Sequence, residues 1–354
     1  MSAPLRSPAH ALLRGAALAL LSALAFGLAT PFIQRLSRGS GVLWAAGLLY
    51  AGAALASVEF SRKSRTIEAP VRGVHVLRLL TVALVGAVLA PVCLIWGLQR
   101  TDAVSASLLL NFEAAFTVVL ARVVYREAIG PRVWLALAVI SVGGLILASS
   151  GAWVMPGFGL GAFAIVLATL GWALDNTLSR PLAELNPKQV VLWKGSLGAL
   201  CSVLLAFGFG ELCPKPAALL GLLACGATGY GFSLQLYLRA QRQIGAARTG
   251  SIFAVAPFFG ATVAWLMGGA AVGTWAVGAG LCFALGVYLH LTENHGHWHT
   301  HRALAHDHVH RHDDGHHDHE HVPPVPGEHS HSHAHDERSH DHAHASDAHH
   351  RHEH

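Results

Sequence analysis

The stretch VSASLLLNFEAAFTVVLARVVYREAIGPRVWLALAVISVGGLIL, residues 104–147, sets the reading of the whole chain. Two apolar runs, 104–124 and 133–149, flank a short polar link, Arg126-Glu127-Ala128-Ile129-Gly130-Pro131-Arg132. Each run approaches the ~20 residues that a helix rising 1.5 Å per residue needs to cross a hydrocarbon core of ~30 Å. The same layout returns 142 residues later, at 246–289, with 268–274 as its link. If the two are copies, the chain is two halves of one membrane protein.

Working outward, composition agrees. The chain has 354 residues, 53% hydrophobic and only 12% charged, where soluble domains carry about 25% charged residues. Residues 1–292 hold apolar runs with almost no polar faces between them. Residues 293–354 are a different material, with 23 of the 26 histidines and 12 of the 20 acids but only 4 of the 24 lysines and arginines. The formal +4 therefore hides +12 for the apolar part and −8 for the tail, with histidine neutral. Cys93, Cys201, Cys213, Cys225 and Cys282 are scattered and form no CxxC. They read as small buried hydrophobes rather than a disulfide or thiolate site. Arg6 and Arg14 ahead of 16–29 imitate a secretory signal. The run continues through Pro31-Phe32-Ile33, however, and the second half needs a matching first helix, so an uncleaved transmembrane helix is expected.

Ten apolar spans are expected: 14–34, 42–60, 76–98, 103–124, 133–149, 157–179, 190–208, 217–238, 247–267 and 273–291. Breakers such as Arg38-Gly39-Ser40-Gly41, Asn186-Pro187 and Cys213-Pro214-Lys215-Pro216 mark the joints. Lipid offers the backbone no hydrogen bonds, so each span is read as a helix. With the N-terminus inside, inside segments carry 15 Lys and Arg and outside segments 4. That bias puts both termini on the cytoplasmic side. Five spans per half is odd, so the second half must lie inverted. The link after the fourth span carries Arg126 and Arg132, whereas its copy after the ninth is uncharged. The link before the fourth has only Arg100, whereas that before the ninth has Arg239, Arg242 and Arg248. The charges swap sides, as inversion requires, although only seven of 49 residues match at the 142-residue offset. The fold expected is an all-α integral membrane protein of ten transmembrane helices in two inverted five-helix repeats, with a disordered histidine-rich tail. Its limits are a cytoplasmic N-terminus 1–13, a first repeat 14–149, a linker 150–156, a second repeat 157–292 and the tail 293–354.

Particular motifs carry a family resemblance. They are Trp96-Gly97-Leu98-Gln99, 103–107, the Leu-x-x-Glu step ending at Glu113, and Arg126-Glu127 followed by Gly143-Gly144-Leu145-Ile146. The second half has Gly171-Trp172-Ala173-Leu174 and Ala254-Val255-Ala256-Pro257. In their order and spacing these resemble a ten-helix member of the drug/metabolite transporter superfamily, of the EamA type, over about residues 12–291. The resemblance implies a secondary carrier and names no substrate. Two positions depart from the family pattern: members often have Glu-Pro where this chain has Glu113-Ala114, and the glutamate found at Glu127 is Gly269 in the second half.

Charge within a bilayer is expensive, so intramembrane polar residues are the place to look for a site. Glu113, with Asn111 beside it, falls near the middle of the fourth span and is a candidate for substrate or proton coupling, against a glutamate that merely ties two helices. Asp175 and Asn176 lie in the sixth span, where an interfacial ion pair of Asp175 with Arg180 or Lys188 competes with a transport role. Lys194, one turn into the seventh span, reads as a snorkelling lysine or a ligand. Tyr230 and Gln235 in the eighth span read as polar packing or as site residues. Gly226, Gly229 and Gly231 there permit close helix contact. Pro31, Pro91 and Pro257 each free a carbonyl within a span.

The tail steps His-x-His, with His295, His297, His299, His301, His306, His308, His310, His312, His316, His317, His319 and His321 before VPPVPGE. After it come His329, His331, His333, His335, His340, His342, His344, His349, His350, His352 and His354. Its apolar content is too low to fold alone. Neutral imidazole suits Zn, Ni, Co or Cu, and interleaved Asp and Glu add charge. The tail is expected to bind divalent metal; a proton-buffering tail is the plainer alternative.

No closed catalytic pattern such as HExxH occurs, so an enzyme is not expected and no cofactor is required. The function expected is a secondary transporter moving a small organic metabolite by alternating access, with the tail as a metal-binding accessory. A Zn, Ni or Co carrier buffered by its tail is the second reading, and a non-transporting membrane anchor for a metal store the third. Partners expected are the lipid bilayer and a small-molecule or metal substrate, with a homodimer permitted and no nucleic acid. The expected location is the bacterial inner membrane.

Overall fold

A computed structural model describes residues 8–62, 71–125, 131–151, 158–179, 182, 185–244, 246–268, 273–291, 296–301, 304–310, 329–335 and 338–343. The apolar runs fold as helices. In the first half these are α1 (Pro8–Ser37), α2 (Val42–Arg62), α3 (Val76–Ala83) continuing through a π turn (Leu84–Leu89) into α4 (Ala90–Leu98), α5 (Ala103–Leu109), α6 (Phe112–Tyr125) and α7 (Pro131–Gly151). In the second half they are α8 (Phe158–Ser179), α9 (Pro187–Gly208), α10 (Pro216–Cys225) continuing through a π turn (Gly226–Phe232) into α11 (Ser233–Ile244), α12 (Ala246–Phe253), α13 (Ala256–Leu266) and α14 (Thr274–Leu291).

Among the described residues, six helices are long and apolar enough to cross a membrane: Leu13–Ser37, Gly73–Leu98, Ala103–Val124, Gly159–Ser179, Pro187–Gly208 and Pro216–Gln241. Four shorter apolar helices, Val42–Val58, Pro131–Ile146, Ala256–Leu266 and Thr274–Leu289, occupy the remaining expected spans. Leu77, Phe163, Leu204, Phe207, Leu220 and Leu281 are exposed on the outside. A soluble protein would bury such side chains, whereas lipid solvates them.

The halves correspond element by element at the 142-residue offset. The π turns start at Leu84 and Gly226, and the next helix of each half is broken, α5 from α6 and α12 from α13. The contacts repeat as well. Counterparts pair directly, α2 with α9 and α7 with α14. Helix α1 packs on α11 and α13, and its counterpart α8 packs on α4 and α6. Exchanging the halves thus maps each of these contacts onto another, which is the pattern of a pseudo-two-fold arrangement.

The fourth span, expected to be one helix, is instead discontinuous. Leu110 N–H donates to Ser107 O (3.2 Å), Asn111 N–H to Leu108 O (3.1 Å) and Glu113 N–H to Leu110 O (3.1 Å). These tightened bonds to the third preceding residue end α5, and the Asn111 amide donates to Leu108 O as well (2.8 Å). A short polar side chain that bonds nearby backbone competes with the helix ladder in this way. In the second half Pro257 sits in the first turn of α13 and supplies no N–H, so the break there follows from its ring.

Glycine lets the π turns pack. A Cβ on Gly226 would meet Leu49 O, and one on Gly231 would stand 2.8 Å from Ala53 Cα. The glycines expected to allow close contact do so, against α1 and α2. Outside the bundle, the Glu211 carboxylate following α9 accepts from the N–H groups of Leu43 (2.8 Å) and Trp44 (3.2 Å) and caps the start of α2. The five cysteines are unpaired.

The tail is described at 296–301, 304–310, 329–335 and 338–343. Its described residues form β1 (Gly296–His301), β2 (Leu304–His310), β3 (His329–His335) and β4 (Arg338–Ala343), in two antiparallel ladders, β1 with β4 and β2 with β3. The His-x-His step has the two-residue period of a strand, and pairing satisfies the backbone that a low apolar content leaves exposed.

Candidate functional site

On α8, Trp172, Asp175, Asn176 and Ser179 are spaced at three, four and seven residues and share one face. Asp175 is buried, 3% exposed, and forms a salt bridge with Lys194 of α9, itself 5% exposed. Its other carboxylate oxygen accepts from the Ser179 hydroxyl (3.1 Å). At the next residue, Asn176 Nδ2 donates to Glu113 Oε1 across to α6 (2.8 Å). Glu113 thus sits in the first turn of the helix that restarts after the break.

Two expectations are corrected here. Asp175 was expected at the interface with Arg180 or Lys188. Arg180 lies outside the described residues, and the partner is Lys194, whose buried ammonium reaches Asp175 from α9 while the π turn Leu84–Leu89 packs on both helices. For the same reason Lys194 does not snorkel: a lysine this buried keeps its charge acceptable through a paired carboxylate.

The two pairs stand in the wall of a cavity holding about 630 Å³ of empty space, part of it open to solvent. Tyr230 lines it too, 7% exposed, and its hydroxyl has no partner among the described residues. It belongs to the wall rather than to packing alone. Rings surround the space. Phe26 of α1 lies 5.7 Å from Trp172, 5.6 Å from Tyr230 and 5.6 Å from Phe253, all between ring centres. Tyr50 of α2 lies 5.4 Å from Tyr230, and Tyr237 lies 5.2 Å from Phe253. Apart from Tyr230, the sequence reading passed over these aromatic residues as site candidates, because an aromatic side chain in a lipid-facing run and one in a cavity wall look alike without the helix rotation.

The π turns shape the wall. The Gly86 carbonyl, released from regular helical pairing, accepts from Tyr50 OH (2.5 Å) and Trp172 Nε1 (3.1 Å). A Cβ at Gly86 would collide with the Asp175 carboxylate, so glycine is what admits Asp175 here. The remaining candidates lie elsewhere. Gln235 is 2% exposed and donates to Ser57 Oγ (3.2 Å), tying α11 to α2. Asn111 is 1% exposed at the helix break, its Oδ1 unpartnered among the described residues. The tail histidines number among the residues whose side chains lie outside the described set, and Glu127 and Gly269 also lie outside it.

A cavity at the meeting of two repeated halves, beside a discontinuous helix, is a recurring layout of secondary transporters. Comparison with known proteins gives it a family. The sequence pattern of the EamA-like transporter family matches residues 13–150 and again 159–292. The chain belongs to the EamA-like transporter family. The two matches account for the resemblance in the motifs and for the internal repeat. An uncharacterized transporter of Methanothermobacter thermautotrophicus (strain Delta H) is similar to this EamA-like chain, 29% identical over 205 residues. That similarity takes in 56% of the present chain and 60% of the archaeal one, so the two correspond over less than two thirds of the relative's length. A solved structure described only as a crystal structure of a protein shares the fold at a TM-score of 0.59 and 17% identity, over 81% of this chain and 98% of that one.

Proposed function

We propose that this EamA-like protein is a secondary carrier that moves a small organic metabolite across the membrane by alternating access, with the Glu113–Asn176 and Asp175–Lys194 pairs in the substrate cavity. The observation that carries the reading is the cavity itself, placed between the halves and walled by α1, α2, α6, α8, α9 and the segments around Tyr230 and Phe253. Residues from both halves meet there, so rocking one half against the other changes the wall, as alternating access requires. Ten helices would cross the bilayer in two inverted sets of five, the six long and four shorter apolar helices each supplying one. Both termini would face the cytoplasm of a bacterial inner membrane, with the lipid bilayer as partner and a homodimer permitted. No cofactor is needed.

The tail would hold divalent metal, Zn, Ni, Co or Cu. In support, the strand register sets histidine opposite histidine, at His306 and His333, His308 and His331, His297 and His342, and His299 and His340. The tail is then an accessory that buffers or senses the ion. A divalent-metal carrier is the weaker alternative, because Asp175, one of the two carboxylates in the cavity wall, is already taken by Lys194.

The test is an accumulation screen for metals and metabolites in cells expressing the full chain, the chain ending at residue 292, and Glu113→Gln. An organic solute that depends on Glu113 and survives loss of the tail supports the reading. Accumulation or depletion of a metal alone, dependent on Glu113, replaces it with the metal carrier.

A further inference from the structure

We propose that the cavity accepts a small organic cation, an amine or quaternary ammonium on an apolar body. The proposal rests on the carrier reading above and assigns its substrate class. The charge inventory of the wall leads to it. Three ionisable acid or amine groups line the space, Glu113, Asp175 and Lys194. Asp175 and Lys194 neutralise each other in a buried salt bridge. Glu113 receives only the neutral amide of Asn176, so the ionised carboxylate has no cationic partner among the described residues. A buried charge is costly until something pairs with it. A positively charged substrate supplies that pairing, and in doing so gives the cavity reason to hold it.

The rest of the wall fits the same class. Phe26, Tyr50, Trp172, Tyr230, Tyr237 and Phe253 form a nearly continuous set of rings, with neighbouring centres 5.2–5.7 Å apart. Aromatic rings attract ammonium and guanidinium groups electrostatically, most of all where water is excluded, and they also bury an apolar body. The Tyr230 hydroxyl, buried and unpartnered, is free to accept from an ammonium N–H. Other charge types fit less well. An anion meets no free cation, because Lys194 is committed to Asp175. A zwitterion satisfies Glu113 with its amine and leaves its carboxylate unpaired for the same reason. A bare metal ion finds one uncommitted carboxylate, and among the described residues no group of three or more His, Cys, Asp or Glu that would hold it.

Four probes of one shape and different charge test this: phenethylammonium, 2-phenylethanol, 3-phenylpropionate and phenylalanine. Binding to the purified full-length protein in detergent is read by calorimetry, with intrinsic tryptophan fluorescence as a second signal. Phenethylammonium is expected to bind at least about tenfold more tightly than each of the other three. Glu113→Gln is expected to remove that preference while leaving the 2-phenylethanol affinity within about threefold, which also shows that the variant's cavity is intact. Equal or tighter binding of 3-phenylpropionate or phenylalanine overturns the proposal, as does an unchanged preference in Glu113→Gln or binding of none of the four. Uptake into proteoliposomes separates the two claims. Selective binding of phenethylammonium without uptake supports the cation class and sinks the carrier. Glu113-dependent uptake of phenylalanine or 3-phenylpropionate keeps the carrier and sinks the cation class.

Discussion

Asp175 shows how one buried charge organises several neighbours. It needs Lys194 for charge, the Ser179 hydroxyl for a second bond and the bare backbone of Gly86 for room. Taking one member of a buried pair away leaves the other uncompensated, which costs about 3–5 kcal/mol. Asp175→Asn is therefore expected to lower the unfolding midpoint strongly in detergent. The double change Asp175→Leu with Lys194→Met removes both charges and is expected to recover most of the loss. A double variant no more stable than Asp175→Asn would show that the charges do not act as a pair. Glu113 differs, because its partner is a neutral amide. Glu113→Gln is expected to leave the protein folded and to abolish transport, checked by uptake against the amount of inserted protein; unchanged transport would return Glu113 to a packing role.

Helices in this bundle approach one another closely at several glycines. The paired π turns carry it furthest, since Gly226 lies against the backbone of Leu49 and Gly231 against that of Ala53. Gly226→Ala is expected to destabilise by about 1–3 kcal/mol, because the obstacle is backbone and α2 must shift to relieve it. Gly280 in α14 has nothing within 4 Å of a Cβ. Gly280→Ala is expected to be neutral or to stabilise by up to ~1 kcal/mol through helix propensity. Thermal unfolding of the two variants side by side checks both signs. For the tail, the full chain is expected to bind several Zn or Ni ions near neutral pH that the chain ending at residue 292 does not. That binding is expected to fade near pH 5, where protons compete for imidazoles with an ordinary pKa of ~6.5. Calorimetry on the two chains at pH 7.5 and pH 5 measures it, and equal binding by both would remove the tail from the account.

Taken whole, the molecule is symmetric in backbone and asymmetric in chemistry. Each half has a π turn and a broken helix at the same offset. The site residues do not repeat: the positions 142 residues from Glu113, Lys194, Trp172 and Tyr230 are Val255, Gly52, Thr30 and Val88. In place of the Asp175–Asn176 pair, α1 has Ile33 and Gln34, and Gln34 donates to the carbonyls of Leu98 (3.0 Å) and Thr101 (2.7 Å) in a structural tie. The first half supplies Glu113 with Phe26 and Tyr50, and the second supplies the ion pair with Asn176, Trp172, Tyr230, Tyr237 and Phe253. With both termini expected inside, protease added to intact spheroplasts should spare the tail, whereas protease added to inverted vesicles should remove it. Cleavage from outside would reverse the orientation argued from the arginines.

Much of this architecture was legible in the residue order. Apolar runs near 20 residues leave the backbone only one way to satisfy itself in lipid, and a 142-residue repeat of those runs marks two corresponding halves. The polar candidates Glu113, Asp175, Asn176 and Lys194 also stood out, because charge within such runs is costly. Their partnerships did not. Glu113 and Asn176 are 63 positions apart and Asp175 and Lys194 are 19 apart, each pair on two helices. Which faces of those helices meet depends on rotation about the helix axis. A soluble helix announces its rotation by an apolar stripe, but a helix apolar all round does not. The ring-lined cavity was settled by packing for that reason, and Glu113 acquired its place in the wall only when α6 restarted beside α8.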